Sequence, residues 1–227
     1  MSLAAAMGII SCFSGSASAA VLAVGTEIGI DLGPANLTTT NWSNFSAAGT
    51  IGAGSVTDTS GTAVDGVSIA FTQISPGGTA GGFNGWTASP ALPSFPSSAF
   101  GDFVWANSSG ATHTLVLSGL DASLSYDIVV ISQSNGSDST NIEMTTITGA
   151  SASSNSIVRT VANGGQYHSF TAVAPTAGGL ITIDSSHGAS GGNNPLLNAV
   201  LITAVPEPTT TALLGLGGLA LILRRRK

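Results

Sequence analysis

HTLVLSGLDASLSYDIVVI, residues His113 to Ile131, carries the period on which the fold turns. In His113 to Leu117 and again in Tyr126 to Ile131, apolar side chains recur at every second position. One face takes Leu115 and Leu117, then Tyr126, Ile128 and Val130. A repeat of two is the pleat of a half-buried strand. The link between the two runs, Gly119-Leu120-Asp-Ala-Ser-Leu-Ser-Tyr126, has the form of a tyrosine corner, in which a loop Leu and a Tyr six residues later close a Greek-key connection and the phenol bonds nearby backbone. Tyr126 is therefore expected to be structural.

The same texture extends in both directions. Further β-rich runs are Glu27–Leu32, Val67–Phe71, Phe103–Trp105, Ile142–Thr148, Ile157–Val161, Tyr167–Val173, Leu180–Ile183 and Leu196–Ile202. No 3.6-residue apolar stripe and no internal repeat interrupts them. Between Val161 and Tyr167 lies Asn163-Gly164, a hairpin turn signal because both residues tolerate positive φ. The pattern predicts an all-β fold, a single β-sandwich of jelly-roll or Greek-key type. Pro76 to Pro96, SPGGTAGGFNGWTASPALPSFP with its flanking Ser75, lacks strand character and reads as a long surface loop or lid.

The order of elements resembles the galactose-binding-like jelly rolls of many secreted bacterial proteins. The residues concerned are an opening Ile30-Asp-Leu-Gly33, then Asn41-Trp42, the Ser118-Gly-Leu to Tyr126-Asp127 stretch, a closing Gly178-Gly-Leu-Ile-Thr-Ile183, and Leu196 to Ile202.

Both ends of the chain read as addresses. Residues 1–19, MSLAAAMGIISCFSGSASA, have an apolar stretch from Leu3 to Phe13 and close on Ala17-Ser18-Ala19, an A-x-A site, so a signal peptide is expected with the mature protein starting near Ala20. No Lys or Arg precedes the apolar stretch. Cys12, the sole cysteine, lies within this peptide, and its removal leaves residues 20–204 to fold by packing alone, without a disulfide. Ile-Ile-Ser-Cys12 loosely resembles a lipoprotein box, which would instead make Cys12 a lipidated first residue.

At the other end, residues 205–227 read VPEPTTTALLGLGGLALILRRRK. From Ala212 to Leu223 every residue is Ala, Leu, Ile or Gly, and the run stops at Arg224, Arg225, Arg226 and Lys227. Twelve such residues reach about 18 Å as a helix, short of the roughly 30 Å hydrocarbon core. Pro206 and Pro208 block extension upstream. The cations are expected to stay on the cytoplasmic side, leaving the body outside. This tail resembles the PEP-CTERM sorting signal of Gram-negative bacteria. The resemblance implies Pro206, Glu207 and Pro208 as the recognition element for exosortase, Ala212 to Leu223 as a transient membrane anchor, Arg224 to Lys227 as the stop, and delivery to the cell surface or the extracellular-polysaccharide or biofilm matrix.

Charge and side-chain chemistry narrow what the body does. Residues 20–204 hold one cation, Arg159, against ten carboxylates, a net charge of −9, and such a surface repels phosphate, which excludes nucleic acid as partner. Gly188-Ala-Ser190-Gly-Gly192 matches G-x-S-x-G beside His187, but a strand rather than a helix follows, so no nucleophile elbow is expected. His113, His168 and His187 stand singly without zincin spacing, and His113 and His168 are expected as satisfied surface or edge residues. Asp31, Asp58, Asp65 and Asp121 read as turn or strand-end residues. Calcium is left open, with Ser134 to Asp138 an oxygen-rich loop that reads first as a polar connection. Ten acids likewise leave a glycosidase pair open, though no stretch marks a general acid in an apolar setting. Trp42 and Trp105 are expected in the core. Phe83 and Trp86, in the Gly/Pro stretch, form the candidate glycan platform. Catalytic residues and other metal ligands are not assigned. The lead reading is a non-catalytic structural sandwich, against a carbohydrate-binding module for matrix polysaccharide and a secreted hydrolase; exposure of Trp86 and convergence of carboxylates discriminate among them.

Overall fold

The computed structural model describes residues 22–34, 38–73, 76–81, 95–106, 111–132, 141–159, 167–187 and 195–207. Its strands are β1 (Glu27–Leu32), β2 (Ser43–Phe45), β3 (Gly49–Ile51), β4 (Ser68–Gln73), β5 (Pro76–Gly81), β6 (Asp102–Ala106), β7 (Thr112–Ser118), β8 (Leu124–Ile131), β9 (Asn141–Thr148), β10 (Ala152–Arg159), β11 (Tyr167–Val173), β12 (Ile181–His187), β13 (Leu196–Leu197) and β14 (Ala199–Pro206), with a 3₁₀ turn at Ser97–Phe100. They form a five-stranded sheet, β11-β8-β14-β1-β2, a six-stranded sheet, β10-β9-β12-β7-β4-β3, and a small sheet, β13-β6-β5.

The alternation in β7 and β8 does what it predicts. Leu115 and Leu117 from the six-stranded sheet meet Ile128 and Val130 from the five-stranded one in a single core, joined by Ile28, Ile30, Ile69, Phe71, Ile183 and Val200. Between β7 and β8, Leu120 is buried and the Tyr126 hydroxyl donates to the Asp121 carbonyl at 3.2 Å, which establishes the tyrosine corner. Burial pushes that phenol up to about 12, so it stays a donor at any physiological pH. Asp58 and Asp121 are turn residues as read: Asp58 accepts from the Ser60 and Thr62 amides at 2.9 and 2.8 Å, and Asp121 from the Ser123 amide at 2.8 Å.

Several expectations need correction. The Gly/Pro stretch is not all loop, because Pro76–Gly81 pairs antiparallel with β6; as an edge strand it places its proline at the first position, where a missing amide costs least. Asn163-Gly164 lies outside the described residues, and the strands on either side of it are not a hairpin pair: β10 pairs with β9 and β11 with β8, in different sheets. The run Leu196–Ile202 breaks at Asn198 into β13 and β14. β10 starts at Ala152, ahead of the apolar Ile157-Val158, because its Ser/Asn half lies exposed on a sheet edge.

A second apolar cluster covers the outer face of the five-stranded sheet. Trp42, Phe95, Ala99, Ile131, Ala199 and Leu201 form it, with Trp42 and Phe95 edge-to-face at 5.4 Å. The Trp42 ring lies flat against Gly29, where a Cβ would fall inside the indole. Gly29→Ala is therefore expected to cost about 1–3 kcal/mol, the usual penalty of overpacking, read as a lower urea midpoint at unchanged slope. An unaltered midpoint would show that Trp42 is free to move off the strand. Trp42 is thus core as expected, whereas Trp105 is only half-buried, its ring passing close to Gly78 in the small sheet.

Candidate functional site

Two carboxylates that lie far apart in sequence meet at the C-terminal end of β1. Asp31 is on the outer face of the five-stranded sheet, because alternation sends Ile30 and Leu32 to the main core. Its Oδ2 accepts from the Thr39 amide at 2.8 Å, and that amide also lies 2.9 Å from Asn44 Oδ1. Asn44 in turn donates to the Thr39 and Trp42 carbonyls at 3.1 and 2.6 Å, and Thr39 Oγ1 donates to Ser98 Oγ at 2.9 Å. Residues 39–44 and the 3₁₀ turn are thereby tied together beside the carboxyl. Asp102, the first residue of β6, is fully buried and abuts Gly33, where any side chain would collide with its carboxylate. Asn198, in the break between β13 and β14, donates to the Asp102 carbonyl at 2.7 Å.

Three oxygens of this pair, Asp31 Oδ1 and both of Asp102, are buried without a hydrogen-bond partner. Burial raises Asp31 to about 6, against the lowering effect of the Thr39 bonds. Burial, and after it the charge of Asp31, raises Asp102 to about 8. Like charges in a low-dielectric site do not both ionise at neutral pH, so the pair holds a proton there and titrates as a unit. The neighbouring cavity, about 80 Å³, is lined by Asp31, Gly33, Pro34, Thr38, Asn44, Phe45 and Ser46.

His113 and His168 are not at the surface, although His168 does lie on an edge strand. His113 and His168 are both fully buried, because their strand positions share the core-facing parity of Leu115 and of Phe170. His113 Nε2 lies 3.1 Å from the Pro195 carbonyl, and its ring stacks on Phe71 at 5.9 Å. His168 sits on the edge strand β11, yet neither ring nitrogen has a partner. Burial lowers both rings to about 4. Among the described residues no three His, Cys, Asp or Glu side chains group as a metal site.

Of the sorting element, Pro206 closes β14 and Glu207 follows it, both exposed. Pro208, the apolar run and Arg224 to Lys227 lie outside the described residues, as do Phe83, Trp86, Ser190, the Ser134 to Asp138 loop and the signal peptide. No described helix is long and apolar enough to cross a membrane. Sequence reading missed Asp102 and saw Asp31 only as a strand-end residue; no local signal marks a carboxylate whose burial depends on a distant glycine.

Residues 204–227 match the PEP-CTERM protein-sorting motif, which marks an exported protein handled by exosortase and transiently anchored in the membrane. No curated protein matches the chain. Among solved structures, a family 35 carbohydrate binding module from Clostridium thermocellum is similar at 14% identity and TM-score 0.37, covering 58% of this chain and 90% of that one. A family 35 module of Cellvibrio japonicus Abf62 is similar at 15% identity and TM-score 0.36, covering 60% and 97%. TmCBM61, solved with β-1,4-galactotriose, is similar at 14% identity and TM-score 0.34, covering 58% and 86%. The sandwich itself stands on the strand pairing described above.

Proposed function

We propose that this chain is sorted by exosortase to the cell surface or extracellular matrix, where residues 20–204 act as a non-catalytic, structural β-sandwich. The observation that carries the reading is the position of the sorting motif, which begins inside the last strand of the sandwich and so addresses one folded unit. Support for a non-catalytic body comes from the acid pair. Asp31 and Asp102 are covered by packed loops, and the adjoining cavity is well below the roughly 300–1,000 Å³ of ordinary ligand sites.

The second reading is glycan binding through Phe83 and Trp86, and one placement favours it. The segment carrying them lies outside the described residues, but it follows β5 in the chain and precedes Phe95, which packs edge-to-face on Trp42. A body of −9 net charge repels acidic polymer within the Debye length of about 8 Å, so the ligand would be neutral sugar or bridged by a divalent cation such as calcium. Affinity electrophoresis against neutral polysaccharides, with calcium and with chelator, compares the body with Trp86→Ala. The structural reading predicts no retardation for either protein; retardation of the parent that Trp86→Ala abolishes would replace it with the glycan-binding one.

A further inference from the structure

The sorting motif is not hung on a free tether. β14 stays paired to β8 up to its last residue, with Val205 opposite Ser125 and Pro206 opposite Leu124. On its other side Ala204 is held by the N-terminal segment: the Gly25 amide donates to the Ala204 carbonyl at 2.8 Å and the Ala204 amide to the Thr26 carbonyl at 2.9 Å. Ala204 itself is buried, although the family match already includes it. Beyond Pro206 only Glu207 to Thr211 separate the sandwich from the apolar run at Ala212, five residues that reach at most about 18 Å.

Three turns lie at this end of the sandwich. Ala23–Thr26 precedes β1, Asp121–Leu124 precedes β8, and Thr176–Leu180 precedes β12, the last tied to Leu120 by the bond from its amide to the Gly179 carbonyl at 3.0 Å. Of the three large apolar side chains exposed among the described residues, two are here, Val24 at 57% and Leu180 at 40%. Partly buried Leu124 packs against the core nearby. Asp121 and Glu207 add negative charge to the same end, which suits a protein partner better than a bare anionic lipid surface.

Resting on the exosortase reading, we propose that this end of the sandwich is a docking surface for the membrane-embedded processing enzyme, which receives Pro206-Glu207 directly from a paired strand and packs against Val24 and Leu180. An enzyme that encloses an extended segment this close to the fold must touch the fold, and the exposed apolar side chains lie where that contact falls.

The test uses the full chain in cells carrying the processing enzyme, with precursor and processed forms followed by pulse–chase. The variants are a Gly-Ser-Gly-Ser spacer between Ala204 and Val205, Val24→Asp and Leu180→Asp. The spacer and each Asp variant are expected to slow processing about tenfold, the effect of losing one well-buried apolar contact, while the melting temperature of each purified body stays at the parent value. Processing of the spacer variant at the parent rate or faster, or Asp variants without effect, overturns the proposal and leaves the motif read as a tether. A parent chain that keeps its tail fails the exosortase reading itself, and the docking surface with it.

Discussion

Asp102→Asn is expected to raise the stability of the body at pH 8 by several kcal/mol and to change it little at pH 4. The folded pair keeps a proton to about pH 8, whereas an unperturbed carboxyl releases its own near 3.8. Across that window the unfolded chain binds fewer protons, so stability falls as pH rises and levels off above about 8. Moving a carboxyl over that range corresponds to roughly 5 kcal/mol at the alkaline end. An amide carries no charge to desolvate and can turn an N–H toward the free Oδ1 of Asp31. The measurement is a urea-denaturation series from pH 4 to 9 on both proteins. Equal destabilisation of Asp102→Asn at both extremes would mean that the carboxylate has a native partner, and would remove the buried-acid account of this site.

His168→Leu is expected to stabilise the protein too, with the opposite pH dependence. The ring is fully buried with two unpartnered nitrogens, a cost of about 1–3 kcal/mol that leucine does not carry. Its pKa falls from 6.5 to about 4 on folding, so the stability of the parent is complete above 6.5 and declines as pH drops toward 4. The gain from His168→Leu should therefore be about 2 kcal/mol larger at pH 5 than at pH 8. His113 behaves alike, moderated by its contact with Pro195. In the parent, two histidines that gain and two aspartates that lose with rising pH oppose each other below pH 6, leaving a net fall mainly above it. A pH-independent gain in His168→Leu would show that the ring is already solvated.

The parts of this fold that could be read in advance are those where one residue's neighbours in sequence are also its neighbours in space. β7 and β8 declare themselves because both bury one face, and the corner between them is closed by Leu120 and Tyr126 within a single turn. β5 was illegible for the converse reason: Pro76–Gly81 has no apolar alternation, and only the ladder to β6 makes it a strand. Residue type suggests a surface or edge place for the two histidines; His168 is on an edge strand yet buried, and the parity of Leu115 and Leu117 places His113 inward. The acid pair was out of reach, since Asp102 and Gly33 come together only through β6 and the β1–β2 loop. The sorting motif was plain because order and composition at the chain end suffice, but its pairing with Leu124 needed the sheet register.

The central claim, that the chain is an exosortase-sorted sandwich, is tested most directly by the mass of its mature C-terminus. Protein recovered from the surface or matrix of the native host should yield peptides up to the Pro206 to Pro208 region and none beyond. Recovery of intact Arg224 to Lys227 on that surface-localised material would contradict the account.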